Sequence, residues 1–207
     1  MPNSTSSRVT RKIYGMGRGW AFSVTDFSTF GSRSAIDVTL HRLLKKGTIR
    51  RVTRGIYDYP RQSKRLGGEL SPDIGQVAQA IARKSGWRIQ PSGPTALNLL
   101  RLSTQVPSQW MYLSDGPTRS YKIGRQTLAF KQSPLKESNF KLRESALIVQ
   151  ALKSLESQRI TEDTISKIRE WLDPGKRSVV LKDTRTATGW VYEIIRKICR
   201  EESQWNE

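Results

Sequence analysis

The chain has 207 residues, 36% of them hydrophobic and six of them Trp, which suits a packed core and excludes a disordered polycation. Its apolar runs are only a few residues long, against the roughly 20 needed to span a bilayer. Residues 1–7 lack the basic and apolar regions of a signal peptide, so a cytoplasmic protein is expected. A formal net charge of +18 points to a polyanionic partner, and neither a basic amphipathic helix nor a polybasic block suggests that this is a membrane.

In chain order, Val9, Ile13 and Met16 have near-helical spacing over Arg8–Met16, and Gly15, Gly17 and Gly19 break that helix. Trp20–Ser23 is a short apolar segment leading to Ser23 or Thr25 as a cap, and a short helix from Asp26 ends at Gly31. Ser32 caps the next helix, Arg33–Lys46, which stops at Gly47. Thr48–Val52 and Ile56–Tyr59 read as strands around a Thr53-Arg54-Gly55 turn. Residues 61–71 are polar and glycine-containing and read as a linker. A second unit follows. Pro72 opens a helix through Lys84, with Ile74, Val77, Ala78 and Ile81 inward. Trp87–Gln90 is strand-like and Pro94–Leu100 helical. Trp110–Leu113, Arg119–Ile123 and Thr127–Lys131 form a meander with turns at Asp115-Gly116 and Gly124. Leu142–Leu155 is apolar almost all round, as a buried helix requires. Thr161 caps a helix with Glu162 and Asp163 in its first turn and Asp173-Pro-Gly as its stop. Thr188 caps the last, Gly189–Glu202, with Trp190, Ile194, Ile195 and Ile198 as its core stripe.

The chemistry concentrates in the first seventy residues, which hold 14 Lys and Arg against 4 Asp and Glu, while residues 71–207 hold 22 against 14. At 100° per residue, Ile36, Leu40, Leu43 and Leu44 form one stripe of the Arg33–Lys46 helix. Ser34, Val38, His41, Arg42 and Lys45 collect opposite. That is the division of a recognition helix, one side packed and the other polar and basic in the major groove. Ser34, Val38 and His41 are the base-contact candidates. Arg42 is suited to base or phosphate, and Val38 to a thymine methyl. Ser32 and Arg33 sit where backbone amides favour a phosphate, and Lys46 ends the helix. Arg50, Arg51 and Arg54 belong to a hairpin wing against the DNA backbone or minor groove.

Nothing points to catalysis. One His and one Cys leave no Ser-His-Asp or Cys-His constellation and no Cys- or His-rich metal site. Gly15-Met-Gly-Arg-Gly19 lacks the Lys-Ser/Thr and preceding strand of a phosphate loop. Asp115, Glu137, Glu144 and Glu156 show no carboxylate–lysine pattern after a strand. No catalytic residue, metal ligand or cofactor is expected. Ser92, Asn98, Ser103, Thr104 and Gln105 are read as a polar cluster at one helix end, suited to a contact or to capping and turn chemistry. Trp87, Trp110, Trp171 and Trp190 read as core, and Cys199 as a small buried hydrophobe.

Two segments carry a resemblance. Leu40-His-Arg-Leu-Leu-Lys-Lys-Gly-Thr-Ile-Arg-Arg-Val-Thr-Arg-Gly-Ile-Tyr57 is similar to the helix and wing of the AbiEi-type antitoxins of type IV toxin–antitoxin systems. Pro91-Ser-Gly-Pro-Thr-Ala-Leu-Asn-Leu-Leu-Arg-Leu-Ser-Thr-Gln-Val-Pro107, followed by Met111–Gly116 and Leu128–Lys131, resembles the same family more specifically. Arg101 stands where many relatives have glycine. The resemblance implies an N-terminal domain that binds repeats in its own promoter as an autorepressor. It also implies a C-terminal domain that neutralises a nucleotidyltransferase-like toxin without a stable complex, as in phage defence. In that domain Asn98, Ser103, Thr104 and Gln105, from the polar cluster already noted, are the contact candidates.

We therefore expect an α+β protein with a winged helix-turn-helix at 8–60, a linker at 61–71, and a mixed α/β domain at 72–203 with a small meander and C-terminal helices. The alternatives are a stand-alone regulator with a ligand-sensing or dimerising C-terminal domain, and a nucleic-acid-processing enzyme targeted by its winged helix.

Overall fold

A computed structural model of the chain describes residues 4–65, 67–105, 107, 109–133 and 140–200. Leu66, Val106 and Glu137, and the expected limits at Glu202 and 203, lie outside the described residues. The chain is mixed α and β with small antiparallel sheets. It divides into two compact units, one of residues 1–89 and 118–130, the other of 90–117 and 131–207.

In the first unit, Ser4 caps α1 (Thr5–Met16) by accepting from the Ser7 N–H. Val9 and Ile13 are buried, but Met16 is exposed. It is the last residue of the helix, and the core ends a turn earlier. Gly15 is helical; the stop is Gly17, at φ 80°. Strand β1 (Ala21–Phe22) leads into a 3₁₀ helix over Val24–Phe27, where the Asp26 carboxylate accepts the Ser23 N–H at 2.8 Å. The helix expected to run on to Gly31 is only this one turn. Helix α2 (Arg33–Lys45) starts on Ser32, and β2 (Arg50–Thr53) and β3 (Ile56–Asp58) follow as an antiparallel hairpin. Pairing of β3 with β1 completes a three-stranded sheet of order β1-β3-β2. Val9, Ile13, Phe22, Phe27, Ile36, Leu40 and Ile49 fill the core beneath it, with Phe27 edge-on to both Trp20 and Phe22.

Residues 61–71 contain a short hairpin, β4 (Gln62–Ser63) with β5 (Gly68–Glu69). Asp73 then caps α3 (Ile74–Ser85), whose Ile74, Val77, Ala78 and Ile81 are buried as expected. This helix belongs to the first unit, not the second. Arg83 donates to Asp26 Oδ1 at 2.7 Å and to the Ala21 carbonyl at 2.9 Å, tying α3 to β1 and the 3₁₀ turn. The unit also takes in β8 (Arg119–Ile123) and most of β9 (Gln126–Gln132), an antiparallel hairpin with Arg119 opposite Phe130. Trp87, expected to open a strand, instead lies edge-on to Phe130 at 5.6 Å and under the Arg119 guanidinium.

The second unit takes in β6 (Ile89–Pro91) from Gln90 on, α4 (Gly93–Leu99) and β7 (Gln109–Ser114). The three strands read as one meander therefore divide between the units. Helix α5 (Arg143–Leu155) is the centre of this core, with Leu147, Ile148, Val149, Ala151 and Leu152 buried against α4 and against α6 (Glu162–Trp171), α7 (Arg177–Asp183) and α8 (Gly189–Cys199). A Cβ on Gly93 would come 2.5 Å from Ser154 Cβ, so the backbones of α4 and α5 meet where only glycine fits. Asp173-Pro-Gly does end α6, yet it also opens a 3₁₀ turn running into α7, a helix the sequence did not suggest. The Asp183 carboxylate accepts the Lys141 and Leu142 N–H groups at 2.8 and 3.0 Å, holding the start of α5. In α8 the stripe is Val191, Ile195, Ile198 and Cys199, with Trp190 and Ile194 half-buried beside it. Trp87, Trp110, Trp171 and Trp190 are all half-buried rather than enclosed.

Among the described residues, two that are not glycine have left-handed backbones, Arg101 at φ 59° and Glu156 at φ 61°.

Candidate nucleic-acid interface

Helix α2 starts where Ser32 turns the chain, its Oγ accepting the Ala35 N–H at 3.3 Å and lying 3.1 Å from Ser34 Oγ. Ile36, Thr39, Leu40 and Leu43 are buried. With that stripe committed to the core, helical geometry leaves the other side to solvent. Ser34, Val38, His41, Arg42 and Lys45 are all exposed, and so is Lys46 at the C-cap. Val38 is 49% exposed, an apolar side chain standing among cations. None of His41, Arg42, Lys45 and Lys46 has an ion pair among the described residues.

Arg33 differs. Its Nε donates to Asp37 Oδ2 at 3.0 Å, one turn along on the same exposed surface. The acid was overlooked at the sequence level, and it lowers the positive field at the start of the helix.

The three hairpin arginines separate into two kinds. Arg50 Nε and Nη2 donate to Asp58 Oδ1 and Oδ2 at 3.1 and 2.7 Å. Nη2 also reaches the Leu70 carbonyl at 3.1 Å, and Nη1 reaches Glu69 at 3.5 Å. The Asp58 side chain is only 2% exposed, and the hydrogen bond to it raises the Arg50 pKa above its ordinary value. Arg50 is thus a cross-strand brace whose donors face inward. Arg51, opposite Tyr57 on β3, and Arg54, in the turn, are exposed instead. Gly55 completes that turn at φ 74°, where any Cβ would be strained and would come within 2.6 Å of Lys84 Nζ. Lys84 donates to the Arg54 carbonyl at 3.2 Å, so α3 supplies a cation at the tip of the turn. No local sequence signal marks Lys84; it arrives there because α3 packs on the first unit.

The charge follows the same partition. The segments of the first unit carry 20 Lys and Arg against 5 Asp and Glu, net +15, and those of the second 16 against 13, net +3. The sequence-level split at residue 70 understated this, because Arg83, Lys84, Arg88, Arg119, Lys122 and Arg125 all belong to the first unit.

The polar cluster of the second unit is not one cluster. Ser92 precedes α4, its hydroxyl donating to Thr95 at 3.1 Å, while the other four lie at or beyond the opposite end of the helix. Asn98 donates to the Pro94 carbonyl at 3.0 Å, and Ser103 accepts the Gln105 N–H at 3.2 Å, which is turn chemistry. Thr104 and Gln105 are exposed. Of the acids, Glu144 pairs with Lys176 at 2.6 Å, and Asp115 and Glu156 are exposed. Burial raises the Cys199 thiol to about 11, which keeps it a protonated core group. No group of three or more metal-ligating side chains occurs among the described residues, and no helix among them is long and apolar enough to cross a membrane.

A family model described as a family of unknown function, DUF6088, matches residues 8–181. The chain belongs to that family. No curated protein matches it.

Proposed function

We propose that this member of the DUF6088 family binds double-stranded DNA through a winged helix-turn-helix, with α2 as the recognition helix in the major groove. Arg51 and Arg54 serve as the wing against the backbone. The observation that carries the proposal is the outward face of α2, where Ser34, Val38, His41, Arg42 and Lys45 are exposed together and the cations lack ion pairs among the described residues. An exposed Val38 beside those cations is the size and chemistry that meets a thymine methyl on a major-groove floor. The net charge of +15 on this unit supports the same partner. Ser32 and Arg33 sit at the helix start beside the backbone, Arg33 with its charge shared by Asp37. Arg50 stands behind the interface as its brace.

The resemblance to the AbiEi-type antitoxins supports a fuller reading. The chain represses its own operon by binding repeats in the promoter, and its second unit neutralises a nucleotidyltransferase-like toxin without a lasting complex. It is a binding protein, not an enzyme. Two experiments test the two halves. In mobility-shift titrations on its own upstream region, Arg42→Ala with Lys45→Ala lowers affinity and flattens the salt dependence by about 1 per lost phosphate contact; an unchanged titration removes α2 from the interface. In growth assays, the neighbouring reading frame is toxic alone and this chain restores growth; failure to restore it ends the antitoxin reading and leaves DNA binding standing.

A further inference from the structure

We infer that the β8–β9 hairpin is a second DNA-phosphate clamp beside the wing; this rests on the proposed DNA-binding reading. The hairpin comes from residues 118–130, far along the chain, yet it belongs to the same compact unit as α2. Its inner side is anchored: Ile123, Leu128 and Phe130 are buried, Tyr121 lies edge-on to Phe130 at 5.9 Å, and Arg119 covers Trp87. Strand alternation then sends Ser120 and Lys122 to the other side, and both are exposed, as is Arg125 in the turn.

Two further facts give this outer side a partner. No Asp or Glu occurs between Asp115 and Glu137 in the sequence, and neither Lys122 nor Arg125 has an ion pair among the described residues. Strand β2, which carries Arg51, runs beside β8 with Cα atoms within 8 Å. That is about one Debye length at physiological salt, so cations on the two strands act on a polyanion as one field. A solvated hairpin has no reason to exclude carboxylates, whereas one facing phosphates does. Double-stranded DNA, which carries a charge every ~1.7 Å along its axis, is long enough to meet the wing and this hairpin together.

The test uses the full chain and a fluorescein-labelled 30-base-pair duplex of mixed sequence, with binding followed by anisotropy across a salt series. Lys122→Gln with Arg125→Gln is compared with Arg42→Gln with Lys45→Gln. The hairpin variant is expected to weaken binding 5- to 20-fold at low salt, about two lost phosphate contacts, and to reduce the log–log salt slope by about 1.8. Lys122→Arg with Arg125→Lys keeps wild-type binding. If the hairpin variant binds like wild type while the α2 variant is weakened, this inference is overturned and the DNA-binding reading survives. A weakened hairpin variant with an unaffected α2 variant upholds the hairpin and overturns the placement of α2. No binding by the wild-type chain overturns both. The substitutions are on exposed side chains, and unchanged circular dichroism melting confirms that lost binding is not lost folding.

Discussion

Arg50 is the arginine whose removal should damage the fold rather than DNA binding. Truncation to Ala deletes two charge-assisted hydrogen bonds to Asp58 and one to the Leu70 carbonyl. It leaves a carboxylate that is 2% exposed with its guanidinium partner gone. Breaking a fully buried pair from one side costs about 3–5 kcal/mol. The Arg50 side chain is 28% exposed, so water reaches part of the vacated space, and about 2–3 kcal/mol is the expected loss. For a unit of roughly a hundred residues that is a drop in Tm of about 10–20 °C. Arg50→Lys keeps the charge but not the planar fork and falls between. By contrast, Arg51→Ala and Arg54→Ala should each leave stability within about 0.5 kcal/mol and weaken duplex binding. Urea titration followed by Trp fluorescence, with anisotropy on a labelled duplex in parallel, measures both quantities. An Arg50→Ala protein as stable as wild type, with binding reduced as far as in Arg51→Ala, would refute the reasoning. Arg50 would then be a DNA contact and not a brace.

Other perturbations follow from geometry already described. Glu156, at φ 61° and ψ 152°, occupies a region essentially reserved for glycine at a cost of about 1–3 kcal/mol. Glu156→Gly should therefore stabilise the chain by about 1 kcal/mol after the loss of chain entropy, and Arg101→Gly by somewhat less; a lower urea midpoint for either counts against the strain. Gly93→Ala should cost about 1–3 kcal/mol through overpacking against Ser154. Ser154→Gly should recover most of it in a double-mutant cycle, and additive losses would show that the clash is not the cause. Burial pushes the Asp183 pKa up, but the Lys141 and Leu142 N–H groups outweigh it and hold the value below the ordinary one. Stability from that shift is present above the unfolded pKa of about 4 and disappears as pH falls through the lower folded value. Asp183→Asn should thus flatten the acid limb of a stability–pH curve, and an unaltered limb would remove Asp183 as its source.

The sequence revealed most where structure is local. Ser32 and Gly47 bracket α2 and the Ile36–Leu44 stripe orients it, so its exposed face was readable from periodicity alone. Arg50 and Arg51 look alike in the chain; only strand register sets Arg50 opposite Asp58. Arg33 stands at a helix start, whereas its partner Asp37 lies one turn on. Asp173-Pro-Gly carries the chemistry of a helix stop, and that same chemistry starts a 3₁₀ turn, so α7 was invisible. The glycine-containing stretch 61–71 looked like a boundary because short hairpins need the same residues as linkers. Arg101 shows the limit from the other side: nothing in an arginine side chain signals the left-handed backbone it adopts there, which is visible only in coordinates.

The return of residues 118–130 to the first unit also sets an order of events during synthesis. Residues 4–89 leave the ribosome about 41 residues before the β9 strand that brings Phe130 to Trp87. At 5–20 residues per second that is an interval of roughly 2–8 s. During it the helix proposed to read DNA can already fold, but the surface around Trp87 stays uncovered and the second hairpin does not yet exist. A fragment that stops near residue 60 or 89 is therefore expected to hold α2 without the complete unit, and to melt below the full chain.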